Sequence, residues 1–249
     1  MPSLPVQLTV VMPAYNEEAL LAGTLASLLS ALDGLPLTAE IVIVDDGSRD
    51  RTPGIADELA AAHASVRALH QPNQGLGGAL RTGFAAATGE YVISWPADAP
   101  VTAADLQPFA DNLGRADVLV GCRSHRAGYN PLMRFNSRLY PWLVRVLFGL
   151  RLRDVNWIHL YRTALVRRIT FTQRGIPMLT EALVRLRDLG ATFLEVPSEM
   201  PARTAGVASA SRPRIMWRTL TGLFSFWLHW RGGKHDAVTT AGSEASRSA

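Results

Sequence analysis

The sequence predicts an α/β fold on a doubly wound, mixed but mainly parallel sheet, and three observations predict it. Short apolar runs alternate with helical patterns through residues 8–94. Each early run ends in a polar or acidic cluster: Pro13–Glu17, Asp45–Asp46 and Pro96–Asp98. The chain has 249 residues, 48% of them hydrophobic, which suffices for one domain with a substantial core.

Taken in order, residues 8–12 form a buried strand stopped by Pro13. A helix follows from Glu17 to about Leu32, with Leu20, Leu21, Leu25, Leu28 and Leu29 on one face. Residues 41–44 form the second strand, residues 52–64 the second helix, and residues 66–69 the third strand. A glycine-rich turn at 73–78 leads into a helix at 79–87 and a strand at 91–94. Ligands of such sheets bind at the carboxyl ends of the strands, so the three clusters belong to one rim and one candidate site.

The second half changes character. Residues 118–121 and 193–196 read as strands, and residues 134–147 have helical spacing dotted with arginine. Residues 1–120 carry a net charge of −9, whereas residues 121–235 carry +14, nearly all of it arginine. Planar guanidinium forks grip phosphate, so this half suits a phosphorylated ligand or an anionic lipid. Its aromatics cluster with aliphatics rather than on a sheet face, so no nucleic-acid partner is predicted.

A single cysteine, Cys122, leaves no internal disulfide and fits a reducing compartment. The N-terminus has no charged segment of the kind a signal peptide needs. No run reaches the roughly 18–20 apolar residues that span a bilayer; the best candidate, 215–230, contains Arg218. The aromatic-rich stretch 211–233 instead reads as an amphipathic helix burying Trp217, Leu220, Phe224 and Trp227 in a lipid boundary, or as a cap on the core. Domain limits follow at 1–210, 211–233 and a disordered polar tail, 234–249.

The motifs carry the chemistry. Tyr15 can stack on a nucleobase, while Glu17 and Asp46 can accept hydrogen bonds from ribose or base. Glycines 75, 77 and 78 let the backbone approach a ligand closely, with Arg81 able to point at a diphosphate. Pro13-Ala-Tyr-Asn-Glu-Glu18, Ile41-Val-Ile-Val-Asp-Asp-Gly-Ser-Arg-Asp50, Asn73–Gly83 and Ala87-Thr-Gly-Glu-Tyr-Val92 stand in this order. Together they resemble the family 2 inverting glycosyltransferases of GT-A fold, over about residues 8–210.

That resemblance implies a donor site that includes Pro13, Ala14, Tyr15, Glu17, Asp45, Asp46, Gly78, Arg81 and Arg174. It also implies Mg²⁺ or Mn²⁺ on the donor diphosphate, held by an Asp-x-Asp motif. Here the string is Trp95-Pro-Ala-Asp-Ala-Pro100, so Pro96 replaces the first aspartate and Asp98 alone remains as metal ligand and catalytic carboxylate. Metal binding is therefore expected to be weakened.

Within the family the second half resembles the dolichyl-phosphate mannose synthase branch and similar polyprenyl-phosphate transferases. Arg123, Arg134, Ser137 and Arg203 match elements of that branch's pattern, Arg134 and Ser137 as an Arg-x-x-Ser pair, which implies that they hold an acceptor phosphate, with Arg123 and Arg203 also catalytic. Residues 154–162 depart from the pattern at Asn156, Trp157 and His159. The implied reaction moves a hexose from a GDP-mannose or UDP-glucose type of donor to a polyprenyl phosphate. The implied setting is the cytoplasm, peripheral on the inner face of the membrane.

Two alternatives stay open. A soluble hydroxyl acceptor would need a base, for which Asp154 and Glu181 are the candidates. A silent sugar-nucleotide binder is motivated by Pro96 and Pro100. A receiver-type signalling domain also pairs aspartates after a strand, but it needs a late-strand lysine and Lys234 is the only lysine.

Overall fold

A computed structural model describes residues 5–123, 131–173, 175–198 and 213–232, of which 131–134 and 213–216 are described by their backbone alone. Four strands open the chain: β1 (Leu8–Ala14), β2 (Ala39–Asp45), β3 (Val66–His70) and β4 (Tyr91–Ser94). Between them run α1 (Leu21–Asp33), α2 (Thr52–Ala62) and α3 (Leu76–Ala86). The centres of β1, β2 and β4 are apolar because helices cover both faces of the sheet there.

The remaining elements are α4 (Ala103–Ala110), β5 (Val118–Arg123), α5 (Pro131–Phe148), β6 (His159–Arg162), α6 (Thr163–Val166), α7 (Pro177–Asp188), β7 (Phe193–Ser198) and α8 (Pro213–Arg231). The sheet order is β3-β2-β1-β4-β6-β5-β7, and every neighbouring pair is parallel except those that β6 makes with β4 and β5. This mixed, mainly parallel sheet is the expected fold class. Because β6 runs against its neighbours, its entry, not its exit, lies at the carboxyl ends of β4 and β5. His159 is thus paired with Val120 near the end of β5, and residues 154–158 are delivered to the active rim.

Two core clusters sandwich the sheet. One centres on α1, with Leu21, Leu25 and Leu28 fully buried against Val10, Ile41 and Ile93. The other packs α3, α5, α7 and α8 over Val11, Val42, Val92 and Val120. Helices α1 and α3 start at other residues than predicted. Helix α1 begins at Leu21 rather than Glu17, because residues 16–18 are tied to the loop after β2. Helix α3 begins at Leu76 rather than Ala79, with Gly75 just before it.

Helix α8 is seated on the second cluster. Leu223 and Phe226 are buried, and the Phe226 ring stacks on Phe148 with centroids 5.1 Å apart. Leu220 and Trp227, expected at a lipid boundary, pack instead against this cluster. Among the described side chains, Trp217, Phe224 and Leu228 are the large apolar ones of α8 that stay exposed, and Phe135, Trp142 and Val146 do so on α5. No described helix is long and apolar enough to cross a membrane.

Candidate active site

The rim at the ends of β1 and β2 is zipped together by the loops that leave them. Asn16 sits at φ 56°, a left-handed conformation that asparagine tolerates. Its backbone N–H donates to Ser48 Oγ at 2.9 Å, and its side-chain Oδ1 accepts from the Arg49 N–H at 2.8 Å. The Glu17 N–H donates to Thr52 Oγ1 at 2.8 Å. Tyr15 stands clear of this zipper, 44% exposed.

Asp45 and Asp46 are both buried. Asp45 accepts from the Ser48 N–H and meets the His70 imidazole at 3.2 Å. The hydrogen bond to Asp57, followed by that to Asp45, holds the His70 pKa above its ordinary value. The Asp46 N–H donates to the Ala14 carbonyl at 2.9 Å. Its Oδ1 accepts from Gln71 Nε2 at 2.6 Å and from the Gln74 N–H at 2.8 Å. One carboxylate thus ties β2 to the glycine turn.

Gly47, at φ +72°, completes this contact: a Cβ there would stand 2.7 Å from the Asn73 backbone nitrogen. A Cβ on Gly78 would strike the Gln74 side chain. Arg81 Nη2 donates to Gln74 Oε1 at 3.3 Å. The structure therefore brings Ala14, Asp46, Gly78 and Arg81 around one loop. Asn16, Ser48, Thr52, Gln71 and Gln74, which hold it, were not singled out from sequence. Asn16, Ser48 and Gln74 lie inside the quoted motifs and Thr52 and Gln71 just outside them, but partners some thirty residues apart in the chain give no local signal that they will meet.

A cleft of about 1100 Å³ opens beside this rim. Pro13, Asn73–Leu76 and Ser94–Pro96 form one wall, Asn156–Ile158 and Thr172–Gln173 another, and α8 a third through Arg218–Thr219, Thr221–Gly222 and Ser225. The turn after β4 is closed by the Trp95 indole, which donates to the Ala99 carbonyl at 2.8 Å. Pro96 lines the cleft, and Asp98 follows in the same turn, part-exposed.

Arg123, at the end of β5, grips Asp154 through Nε at 2.7 Å and Nη2 at 2.8 Å. Nη2 also reaches Asn156 Oδ1 at 3.1 Å, and the guanidinium lies 4.8 Å from the Trp157 ring centroid. Both partners of the pair are nearly enclosed, with side-chain exposures of 8% and 2%. Arg123 is therefore part of the support beneath the Asn156–Trp157 wall.

Glu181, the other candidate base, is fully buried. Its carboxylate accepts from the Thr172 and Gln173 N–H groups, the Thr172 hydroxyl and Arg185 Nε, a bonding pattern that fixes a loop of the cleft. Ser137 lies on α5, half-buried. The Arg134 side chain, Arg174 and Arg203 lie outside the described residues.

Among the described residues no group of three His, Cys, Asp or Glu side chains is placed to hold a metal. Asp98 fits as a single protein ligand to an ion that the substrate phosphates carry, since Mg²⁺ needs only one or two carboxylates when phosphates and waters complete its shell. The residues present do not fit an all-protein cage.

Residues 9–182 match the model of Glycosyl transferase family 2. The chain belongs to this family. Among curated relatives of this family 2 chain, Glycosyltransferase AglD of Haloferax volcanii is 34% identical over 157 residues, 60% of this chain and 25% of that protein. The Undecaprenyl-phosphate mannosyltransferase of Micrococcus luteus is 28% identical over 216 residues, 81% of this chain and 86% of that one. The alignment spans 25%, 51% and 55% of the lengths of the first three relatives. Glucosyl-3-phosphoglycerate synthase from Mycobacterium tuberculosis, solved with Mn²⁺, UDP and glucosyl-3-phosphoglycerate, superposes with a TM-score of 0.68 at 20% identity, over 88% of this chain and 79% of that one. That likeness establishes the GT-A fold of the family 2 chain.

Proposed function

We propose that this family 2 glycosyltransferase moves a hexose from a nucleoside-diphosphate sugar to a polyprenyl phosphate, with inversion at the anomeric carbon. The observation that carries the reading is the loop that Asp46 pins between β2 and α3. That loop sets the glycine backbone at the edge of a cleft of about 1100 Å³, with Arg81 bonded to its Gln74, while Tyr15 stands exposed on the segment after β1. Similarity to relatives that include an Undecaprenyl-phosphate mannosyltransferase and a Dolichyl-phosphate beta-glucosyltransferase supports the acceptor class.

In this reading Tyr15 stacks on the base, and Glu17 and Asp45–Asp46 organise the ribose pocket. Arg81 and Arg174 face the diphosphate. An acceptor phosphate is anionic at neutral pH, so one of its oxygens attacks the anomeric carbon without a base. The bond from that carbon to the diphosphate oxygen breaks on the opposite side, and the electron pair leaves with the nucleoside diphosphate. Arg134, Ser137 and Arg203 hold the acceptor, while Arg123 acts through the wall it supports. Asp98 would hold Mg²⁺ or Mn²⁺, which when bound neutralises charge on the leaving diphosphate.

The lipid acceptor also sets the location: peripheral, on the cytoplasmic face of a membrane. Helices α5 and α8 contain six arginines and no Asp or Glu, and expose Phe135, Trp142, Trp217 and Phe224. That pairing of aromatics with arginine suits an anionic lipid boundary. The sugar is a hexose of the mannose or glucose type.

The test is incubation of purified protein with GDP-mannose or UDP-glucose and a short polyprenyl phosphate, with and without Mg²⁺ or Mn²⁺, following glycolipid by mass. Product in either condition supports the transferase. Nucleotide binding without product from any common donor would replace this reading with that of a silent binder.

A further inference from the structure

We propose that Arg218 of α8 binds a phosphate oxyanion of the substrate, making the last described helix a wall of the reaction site. The inference rests on reading the cleft as the transferase site, and it adds a residue outside the 9–182 segment that the family model matches.

Among the described residues lining the cleft, Arg218 is the only one with an ionisable side chain. The rest of the polar lining is amide and hydroxyl, including Asn73, Asn156, Gln173 and Ser225. Neutral donors and acceptors of this kind suit a polyhydroxyl ring, and the Arg218 guanidinium beside them suits an anionic group attached to that ring. Arg218 forms no ion pair among the described residues, in contrast to Arg123, whose fork is filled by Asp154.

The helix is held for this purpose. Residues 218, 221, 222 and 225 share one face at three- and four-residue spacing and all line the cleft. At Gly222 a Cβ would stand 3.0 Å from Pro177 Cγ and 3.3 Å from Gln173 Oε1, so glycine lets α8 seat closely against that loop. On the helix's other side Leu223 and Phe226 are locked in the core. Arg218 therefore projects from a rigid element one turn from this close contact.

The phosphate belongs either to the donor diphosphate or to the lipid acceptor, and binding assays separate the two. Calorimetry on the full chain would compare wild type, Arg218→Ala and Arg218→Lys with UDP, GDP and a short water-soluble prenyl phosphate as probes. Arg231→Ala removes the same charge from the same helix outside the cleft and serves as control. The expected result is a loss of about tenfold to a hundredfold in affinity for one probe class in Arg218→Ala, partly recovered in Arg218→Lys. Weakened nucleotide binding assigns the donor; weakened prenyl phosphate binding assigns the acceptor. Equal affinity of Arg218→Ala, Arg231→Ala and wild type for every probe would overturn the proposal, as would a wild type that binds none of them. Failure of the wild type to make glycolipid counts against the transferase reading and leaves the binding comparison intact.

Discussion

Arg123 and Asp154 face each other fork to fork, with two parallel bonds of 2.7 and 2.8 Å between the end of β5 and the approach to β6. The pair is almost wholly enclosed. Removing one partner strands the other's charge in a poorly solvated place, a change that costs about 3–5 kcal/mol. Asp154→Ala should lower the urea midpoint by an amount that corresponds to this loss. Arg123→Lys, which cannot reproduce the fork, should fall between the two.

Asp46→Ala removes the acceptor that joins Gln71 and the Gln74 N–H to β2. The global fold keeps its apolar sheet, so the main effect should fall on the loop. Nucleotide affinity should drop about tenfold or more, as expected for losing hydrogen bonds to a charged group. Titration with UDP and GDP measures it, and an unchanged affinity would remove this loop from the donor site.

His159 is fully buried, and neither ring nitrogen has a hydrogen-bond partner among the described residues. Burial holds its pKa down at about 4, against 6.5 for the ordinary imidazole. Between these two values the unfolded chain binds the extra proton and the folded one does not. Stability from this group is therefore complete above about pH 6.5 and is lost as pH falls toward 4. The loss is on the order of 3 kcal/mol. His159→Phe should flatten that acid limb in denaturation curves taken across the range.

Restoring the missing carboxylate should strengthen metal binding. Pro96→Asp places a second oxygen ligand two residues before Asp98, at the edge of the cleft. The Mn²⁺ concentration for half-maximal binding in the presence of UDP should fall about tenfold, and Asp98→Asn should raise it in the otherwise native chain. An unchanged Mn²⁺ titration in both variants would separate this turn from any ion.

The exposed aromatics of α5 and α8 should govern partition onto lipid. Trp142→Ala with Trp217→Ala should reduce binding to vesicles containing anionic lipid several-fold, and added salt should weaken the wild type as well. Equal co-sedimentation of the double variant and wild type would rule these residues out as the contact surface.

Much of the first half was legible in the sequence. Residues 8–12, 41–44 and 91–94 are short, apolar and bounded by polar clusters, and each became a central strand with its cluster at the rim. What escaped had no local signal. Strand β6 is four residues long, and its direction is set by pairing with β4 and β5 rather than by its own sequence. Helix α7 is buried nearly all round from Pro177 to Val184, so it lacks the polar face that marks an amphipathic helix. Glu181 read as a candidate acid–base residue, but its neighbours turned it into the anchor of residues 172–173. In α8 the aromatic positions were legible, but which of them meet protein was decided by Phe148 and by the close seat at Gly222.

The reversed course of β6 has a bearing on how such a chain diversifies. Residues 154–158 reach the cleft from a different part of the polypeptide than the loops around Tyr15 and Asp46, and they are braced on their own by Arg123. Substitutions there can accumulate without disturbing the backbone contacts of the opposite wall. Transplanting this short segment between relatives should thus reshape one wall of the cleft while the opposite wall stays as it is.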